Sequence, residues 1–159
     1  MDSLAIFPVI FSKNNFPIIK LDITGKSYPF ALSLSSKYPL FTNAELLEKI
    51  SKTKKGEAQW KDAKGNLMQS DLFEIPLIQM GHLQFKNILS ASTLLSSNEE
   101  ECEGSFSWPW NKMNVLLDFP HYRICGINQK KCLNEFGISL EKMEKIKCKI
   151  NNGGGGYFS

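Results

Sequence analysis

Apolar and polar residues alternate along much of the chain, a period of two that is typical of β-strands with one buried face. The alternation is clearest over residues 18–34, on both sides of the turn Thr24-Gly25-Lys26, and it predicts a β-hairpin. Two further hairpins are predicted, one with a polar tip at residues 62–66 and one that turns at residues 81–82. Shorter strands are predicted at the following positions: residues 5–11, near Leu40, 115–119 and 123–127.

Two segments have helical patterns instead. Thr42 and Glu45 have capping-box spacing, which predicts a short helix over residues 44–50 with Thr42 as its N-cap. The buried face of this helix is expected to carry Leu46, Leu47 and Ile50. Ser139 is the predicted N-cap of a second helix that runs to about Cys148, and a flexible glycine-rich tail follows it.

The length and composition of the chain favour one folded domain. Its 159 residues fall within the roughly 100–200 residues of a typical domain, and 42% of them are hydrophobic, enough for a packed core. We assign residues 1–15 to an N-terminal extension, 16–127 to a β domain, and 128–159 to a helical C-terminal appendix with its glycine-rich tail. Many short strands with one short helix predict a mostly β fold, either a small barrel or a sandwich.

Charge and cysteine content exclude several classes of function. The net charge of +3 is spread along the chain, and Arg123 is its single arginine, so nucleic acid is not a predicted partner. No apolar run reaches the roughly 18 residues of a membrane span and no signal peptide is predicted, so we expect a cytoplasmic protein without a membrane partner. Four cysteines without a CxxC pair, together with two histidines, predict no metal site and no other cofactor.

The order of the segments resembles that of a retropepsin-like aspartic peptidase domain. The resemblance rests on the hairpin over residues 18–34, the small-residue loop at 33–36, the hairpin whose tip contains Gly65, and the strand and turn at 114–121. It covers residues 16–127. It implies a small closed β-barrel of the acid-protease type with one short internal helix, to which this chain adds the C-terminal helix.

The loop at residues 33–36 departs from the motif of that family. In the family, the strand equivalent to residues 28–32 ends in Asp-Thr/Ser-Gly, or a variant such as Asp-Leu-Gly, followed by a small residue. Alignment on this strand places Ser33 at the catalytic aspartate, Leu34 at the middle position, Ser35 at the glycine and Ser36 at the small residue. Because glycine permits close backbone approach and unusual dihedral angles, Ser35 requires a changed loop.

Two more parts of the family's site have counterparts in this chain. The hairpin that corresponds to the flap, which closes over the substrate, contains Trp60, Asp62, Ala63, Lys64 and Gly65. A second motif, two apolar residues followed by glycine, falls at Ser105, Phe106 and Ser107. Serine therefore replaces glycine in the second motif as well.

The serine at position 33 has a direct chemical consequence. Aspartic peptidases bring two carboxylates together to share one proton, so that one acts as base toward water and the other as acid. The resemblance implies that each domain supplies one of the two, so a single-motif chain forms a homodimer. In a dimer of this chain two Ser33 hydroxyls would meet, and a hydroxyl is not an effective base near neutral pH. The predicted function is therefore a catalytically inactive homologue that acts as a peptide-binding or structural dimer.

Other interpretations of the same residues stay open. The chain could be an active aspartic endopeptidase with a non-standard catalytic arrangement, or a simple protein-interaction module. Ser33 could act as a nucleophile with His82 or His121 as its base, although no Gly-x-Ser-x-Gly elbow is present. It could also simply bond neighbouring backbone groups in a turn.

Several conspicuous side chains have structural explanations. Asp118 is expected to be a structural carboxylate bound to a turn or to Arg123, and Asp62 is expected to be a turn residue. The tryptophans Trp60, Trp108 and Trp110 could line a cleft or a dimer contact, but we expect at least one of them to pack in the core.

Overall fold

The computed structural model describes residues 4–34, 36–94, 102–108, 114–127, 148–150 and 156–158. Strands dominate these residues, as the alternating pattern predicts. In chain order they are β1 (Leu4–Pro8), β2 (Ile10–Phe11), β3 (Pro17–Ile23), β4 (Lys26–Ser33), β5 (Leu40–Asn43), β6 (Thr53–Lys61), β7 (Leu67–Met80), β8 (Leu83–Thr93), β9 (Gly104–Ser107), β10 (Asn114–Asp118), β11 (Arg123–Ile127), β12 (Cys148–Ile150) and β13 (Gly156–Phe158). A short helix, α1 (Ala44–Leu47), follows β5, and a 3₁₀ turn (Phe119–His121) joins β10 to β11.

Six of the strands close into a barrel. The sheet runs β3-β4-β9-β5-β8-β7, and a pairing of β7 with β3 at Gln79 and Asp22 joins its two ends. β2 extends the sheet beside β3, and β6 extends it beside β7. The mostly β, closed barrel that the resemblance implied is therefore confirmed.

The core fills the barrel with the apolar members of the alternating strands. In β3 the side chains of Ile19, Leu21 and Ile23 are buried while Lys20 and Asp22 face solvent, as the period of two predicts. The opposing walls contribute further fully buried side chains, which include Phe30, Leu40, Ile75, Ile78 and Met80. Burial of such side chains stabilises the fold by roughly 1.5–3 kcal/mol each.

Residues assigned to the N-terminal extension contribute strands to the body of the protein. β1 pairs antiparallel with β11, which also pairs with β10, and β2 pairs with β3. Phe7 and Val9 are buried in the same core cluster as the barrel side chains. The strand predicted over residues 5–11 is present with a break at Val9, whose N–H donates to the carbonyl of Tyr122 at 2.9 Å.

The internal helix begins at Ala44, as predicted, but it ends at Leu47 rather than Ile50, and the assignment of Thr42 as its N-cap is wrong. Asn43 is the N-cap, and its side chain accepts a hydrogen bond from the N–H of Glu45. Thr42 lies in β5, where its Oγ1 is 2.7 Å from Oγ of Ser90 and both residues are fully buried. This tertiary hydrogen bond holds Thr42 in the strand. Leu46, Leu47 and Ile50 are buried, as predicted.

The second predicted helix, which runs from Ser139 to about Cys148, lies outside the described residues up to residue 147. Cys148, its predicted last residue, instead begins β12, which pairs antiparallel with β13. The two further predicted hairpins are present and share β7, a single strand of 14 residues that pairs with β6 on one side and β8 on the other.

Candidate functional site

The two predicted motifs lie side by side in the barrel. β9 is inserted between β4 and β5, parallel to β4 and antiparallel to β5. In this register Ser33 is the partner of Ser107, and Ala31 is the partner of Ser105. Because paired residues of neighbouring strands project to the same face of a sheet, all four side chains share one face. Sequence pattern alone gives no sign of this parallel pairing, since the two strands are far apart in the chain.

The motif loop is held by a hydrogen bond within it and by hydrogen bonds from the end of β9 and the residue after it. The Oγ atoms of Ser33 and Ser36 are 2.8 Å apart, which is a hydroxyl–hydroxyl hydrogen bond. The N–H of Trp108 donates to the carbonyl of Ser33 at 2.9 Å, and the N–H of Ser107 donates to the carbonyl of Pro39 at 2.8 Å. Leu34 packs against the core, and Ser35 lies outside the described residues.

The second motif is buried on both faces of its strand. Phe106 points into the core, where its ring lies 6.1 Å from that of Phe85. Ser107 points to the opposite face and is only 4% exposed. Among the described residues, its Oγ has no hydrogen-bond partner. A buried hydroxyl without a partner is unfavourable for stability.

The tip of the β6–β7 hairpin is organised by Asp62. One carboxylate oxygen accepts hydrogen bonds from the N–H groups of Lys64 and Asn66 at 2.9 and 2.8 Å, and the other accepts from the side-chain amide of Asn66 at 3.2 Å. These bonds, that from the Asn66 backbone foremost, lower the pKa of Asp62. Gly65 supplies the positive φ of +83° that the turn needs, and Ala63 and Lys64 are exposed. Asp62 is thus a turn residue, as expected.

Strand β6 of the same hairpin is tied, close to the hairpin tip, to the segment that follows the motif loop. The ammonium of Lys37 donates to the carbonyl of Gln59 at 2.6 Å, and the hydroxyl of Tyr38 accepts from the N–H of Gln59 at 3.1 Å. The rings of Phe41 and Trp60 meet edge to face with their centroids 5.0 Å apart. Lys37, Tyr38 and Phe41 were not among the predicted site residues. The one sequence signal for them is that aromatic residues directly follow the small-residue loop.

A cavity of about 360 Å³ opens beside the two motif strands. Its lining is largely apolar and consists of Phe16, Ala31, Phe41, Thr93, Cys102, Gly104 and Ser105. Ala31 and Ser105 belong to the face that also carries Ser33 and Ser107, and Phe41 belongs to the aromatic contacts under the hairpin. The cavity therefore lies beside the motif strands, and Phe41 in its lining also contacts Trp60 near the tip of the hairpin.

Asp118 is a structural carboxylate, as expected. One of its oxygens lies 2.8 Å from Nδ1 of His121, and the other accepts a hydrogen bond from Nε of Arg123 at 2.5 Å. The hydrogen bond to His121, followed by that to Arg123, lowers the pKa of Asp118. His121 is thus engaged in the 3₁₀ turn, and His82 is exposed in the β7–β8 turn. The structure gives neither histidine a hydrogen bond to Ser33.

This carboxylate makes stability depend on pH in a defined direction. Because the folded-state pKa of Asp118 is below its usual value near 3.8, its contribution is complete above that value and is lost as the pH falls through the folded-state pKa. We expect Asp118→Asn to be less stable than wild type at neutral pH and to match it in strong acid. Urea unfolding of both proteins at a series of pH values measures the gap. A gap that does not narrow in acid would contradict this assignment.

Cys102 and Cys125 are buried, and burial raises the pKa of the Cys125 thiol. In the described ranges no three His, Cys, Asp or Glu side chains are grouped closely enough to hold a metal ion. None of the helices in that part of the chain has the length and apolar character needed to cross a membrane.

Comparison with known proteins supports the fold. No protein-family model matches the chain, and no curated protein matches it. Among solved structures, it is similar to a retropepsin-like aspartic protease from Rickettsia conorii, with a TM-score of 0.55 over 77% of this chain and 90% of that one. The sequence identity is 10%, so the likeness concerns the fold alone. The chain has a retropepsin-like fold.

Proposed function

We propose that this protein is a catalytically inactive homologue of the retropepsin-like aspartic peptidases that binds an extended peptide in its cleft as a homodimer. The observation that carries the proposal is the end of β4. There Ser33 stands where the resemblance requires an aspartate, and its hydroxyl is hydrogen bonded to that of Ser36.

The chemistry of peptide hydrolysis is missing from this position. Neither residues 32–36 nor residues 104–108 contain an aspartate or glutamate. Asp62 and Asp118 are each committed to a turn. Loss of a general base typically lowers a rate by about 10²–10⁴, and a homodimer with Ser33 in both halves would lose the acid together with the base.

Features that would bind a peptide are present. The cavity beside β4 and β9 is large enough for a bulky apolar side chain, and its lining is mostly apolar with a few polar groups, as in typical ligand sites. The β6–β7 hairpin is attached next to it through Phe41 and Trp60. A peptide in this cleft would lie between the hairpin and the motif strands.

A cleavage assay distinguishes a catalytically inactive protein from an active peptidase. Wild type, Ser33→Asp/Ser35→Gly and the matched control Ser33→Ala/Ser35→Gly are incubated with a pool of random octapeptides blocked at both ends, with and without pepstatin. We expect pepstatin-sensitive cleavage only from the aspartate variant, since only it restores the carboxylate. Pepstatin-sensitive cleavage by the wild-type protein would overturn the proposal of inactivity. Sedimentation of the wild-type protein tests the homodimer.

A further inference from the structure

The outer edge of β6 is covered by side chains of its own chain. Among the strands that the structure describes, β6 pairs with β7 alone and lies at the end of the sheet. Both backbone groups of Gln59 are nevertheless occupied. Its N–H donates to the hydroxyl of Tyr38 at 3.1 Å, and its carbonyl accepts from the Lys37 ammonium at 2.6 Å and from the Tyr38 hydroxyl at 3.4 Å. The Tyr38 hydroxyl thus contacts both groups, as a backbone partner would.

The antiparallel pairing of β6 with β7 fixes the direction in which the backbone groups of Gln59 point. Gln59 is paired with Gln69 of β7, and in antiparallel pairs residues alternate between those that bond to the partner strand and those that point away. Because the N–H and carbonyl of Gln59 reach Tyr38 and Lys37, Gln59 belongs to the second kind. Glu57 and Lys61, two residues away on either side, then point their backbone groups to the same open edge. The edge is a strand-pairing surface that is blocked at its middle residue.

Tyr38 is held in this position by aromatic contacts near the hairpin tip. Its ring lies 5.8 Å from that of Phe41, which in turn lies 5.0 Å from that of Trp60 on β6. Such edge-to-face pairs add roughly 0.5–1.5 kcal/mol each beyond the burial of their area. Phe41 also lines the 360 Å³ cavity. Displacement of Tyr38 would therefore alter the packing of Phe41, which forms part of the cavity lining.

We propose that Lys37 and Tyr38 form a latch on the open edge of β6, and that an extended peptide binds by adding a strand to this edge and displacing the Tyr38 hydroxyl from Gln59. The inference rests on the proposed peptide-binding function and specifies its mode and its regulation. Exposed edges are natural sites for strand addition, in which backbone hydrogen bonds supply affinity and pockets for alternate side chains supply specificity. The cavity beside Phe41 is such a pocket.

A latch that must open reduces the apparent affinity by the fraction of molecules in which it is open. Tyr38→Phe keeps the ring against Phe41 and removes only the hydroxyl. A net hydrogen bond corresponds to a factor of roughly two to ten in an equilibrium, so we expect the variant to bind peptide about two- to tenfold more tightly. Lys37→Met, which removes the ammonium and keeps an apolar stem, is expected to act in the same direction.

The test uses the full chain and the pool of blocked random octapeptides. Retention of the pool is measured for wild type, Tyr38→Phe, Lys37→Met and the control Tyr122→Phe, which removes an exposed tyrosine hydroxyl from the β10–β11 turn. Amide hydrogen exchange at Gln59 is measured in the same proteins. We expect faster exchange at Gln59 in Tyr38→Phe without peptide, and slowed exchange when the pool is bound.

The possible results distinguish a failure of the proposed latch from a failure of the proposed peptide binding. Tighter retention by Tyr38→Phe but not by Tyr122→Phe, with the change in exchange at Gln59, supports the latch. Equal or weaker retention by Tyr38→Phe would overturn it and leave peptide binding in place. Failure of every variant to retain the pool would overturn the proposed peptide binding and the latch together.

Discussion

Gly104→Ala is expected to lose about 3 kcal/mol of folding free energy or more, enough to unfold a typical single domain in part at physiological temperature. Gly104 begins β9, where its backbone crosses close to that of β5. A Cβ at this position would overlap the carbonyl oxygen of Phe41 and lie 2.9 Å from the carbonyl carbon. Its φ of +152° is also one that residues with a side chain rarely adopt. Neither obstacle can be relieved by rotating a side chain, because the clashing atoms are backbone.

The matched control is Gly65→Ala at the hairpin tip. Gly65 has a φ of +83°, but an added Cβ there would meet no atom within 4 Å. We expect a loss of about 1–2 kcal/mol, the usual cost of a left-handed backbone at a residue with a side chain. Urea unfolding of both variants measures the difference. Equal losses in the two variants would mean that β9 does not approach β5 as closely as described.

Trp108→Ala is the second substitution with a large expected effect, about 3–5 kcal/mol of folding free energy. Trp108 follows β9 and is the largest of the fully buried side chains, with 1% of its surface exposed. Its backbone N–H also donates to the carbonyl of Ser33. The large cavity left by the indole would lie directly behind the motif loop, so we expect the loop to lose its fixed position as well.

Trp60→Ala provides the contrast for Trp108. The Trp60 ring is only partly buried and packs on Phe41 near the hairpin tip, so its removal is expected to cost clearly less stability. Thermal unfolding of both variants compares them, and retention of the peptide pool shows what each does to the cleft. Similar losses of stability from the two substitutions would contradict the assignment of Trp108 to the core and Trp60 to the cleft.

Local pattern was sufficient for the elements whose partners are close in the chain. The hairpin of β3 and β4 follows from alternation around Gly25, and the turn at Asp62 follows from its polar residues and Gly65. The start of the short helix at Ala44 was predicted, but its N-cap was placed one residue too early, at Thr42. Thr42 and Asn43 are both good N-cap residues, and the choice between them depends on Ser90, whose contact with Thr42 no local pattern reveals.

Pairings between distant segments could not be predicted from pattern. The parallel contact of β4 with β9, the closure of the barrel at Asp22 and Gln79, and the pairing of β1 with β11 all depend on the global packing of the chain. The resemblance to the peptidase family identified Ser33 and Ser107 as motif residues. It did not predict that the two are partners in neighbouring strands. The contact of Tyr38 with Gln59 had no sequence signal, because a tyrosine after a loop can face any neighbour.

One measurement tests both the binding of a peptide in the cleft and the absence of peptide cleavage there. The wild-type protein is incubated with the pool of blocked octapeptides from acid to neutral pH, and the bound and free peptides are identified by mass spectrometry. We expect a subset of peptides to be retained by the protein and recovered intact at every pH. Cleaved products that disappear in the presence of pepstatin, or a pool that is not retained at all, would contradict the account.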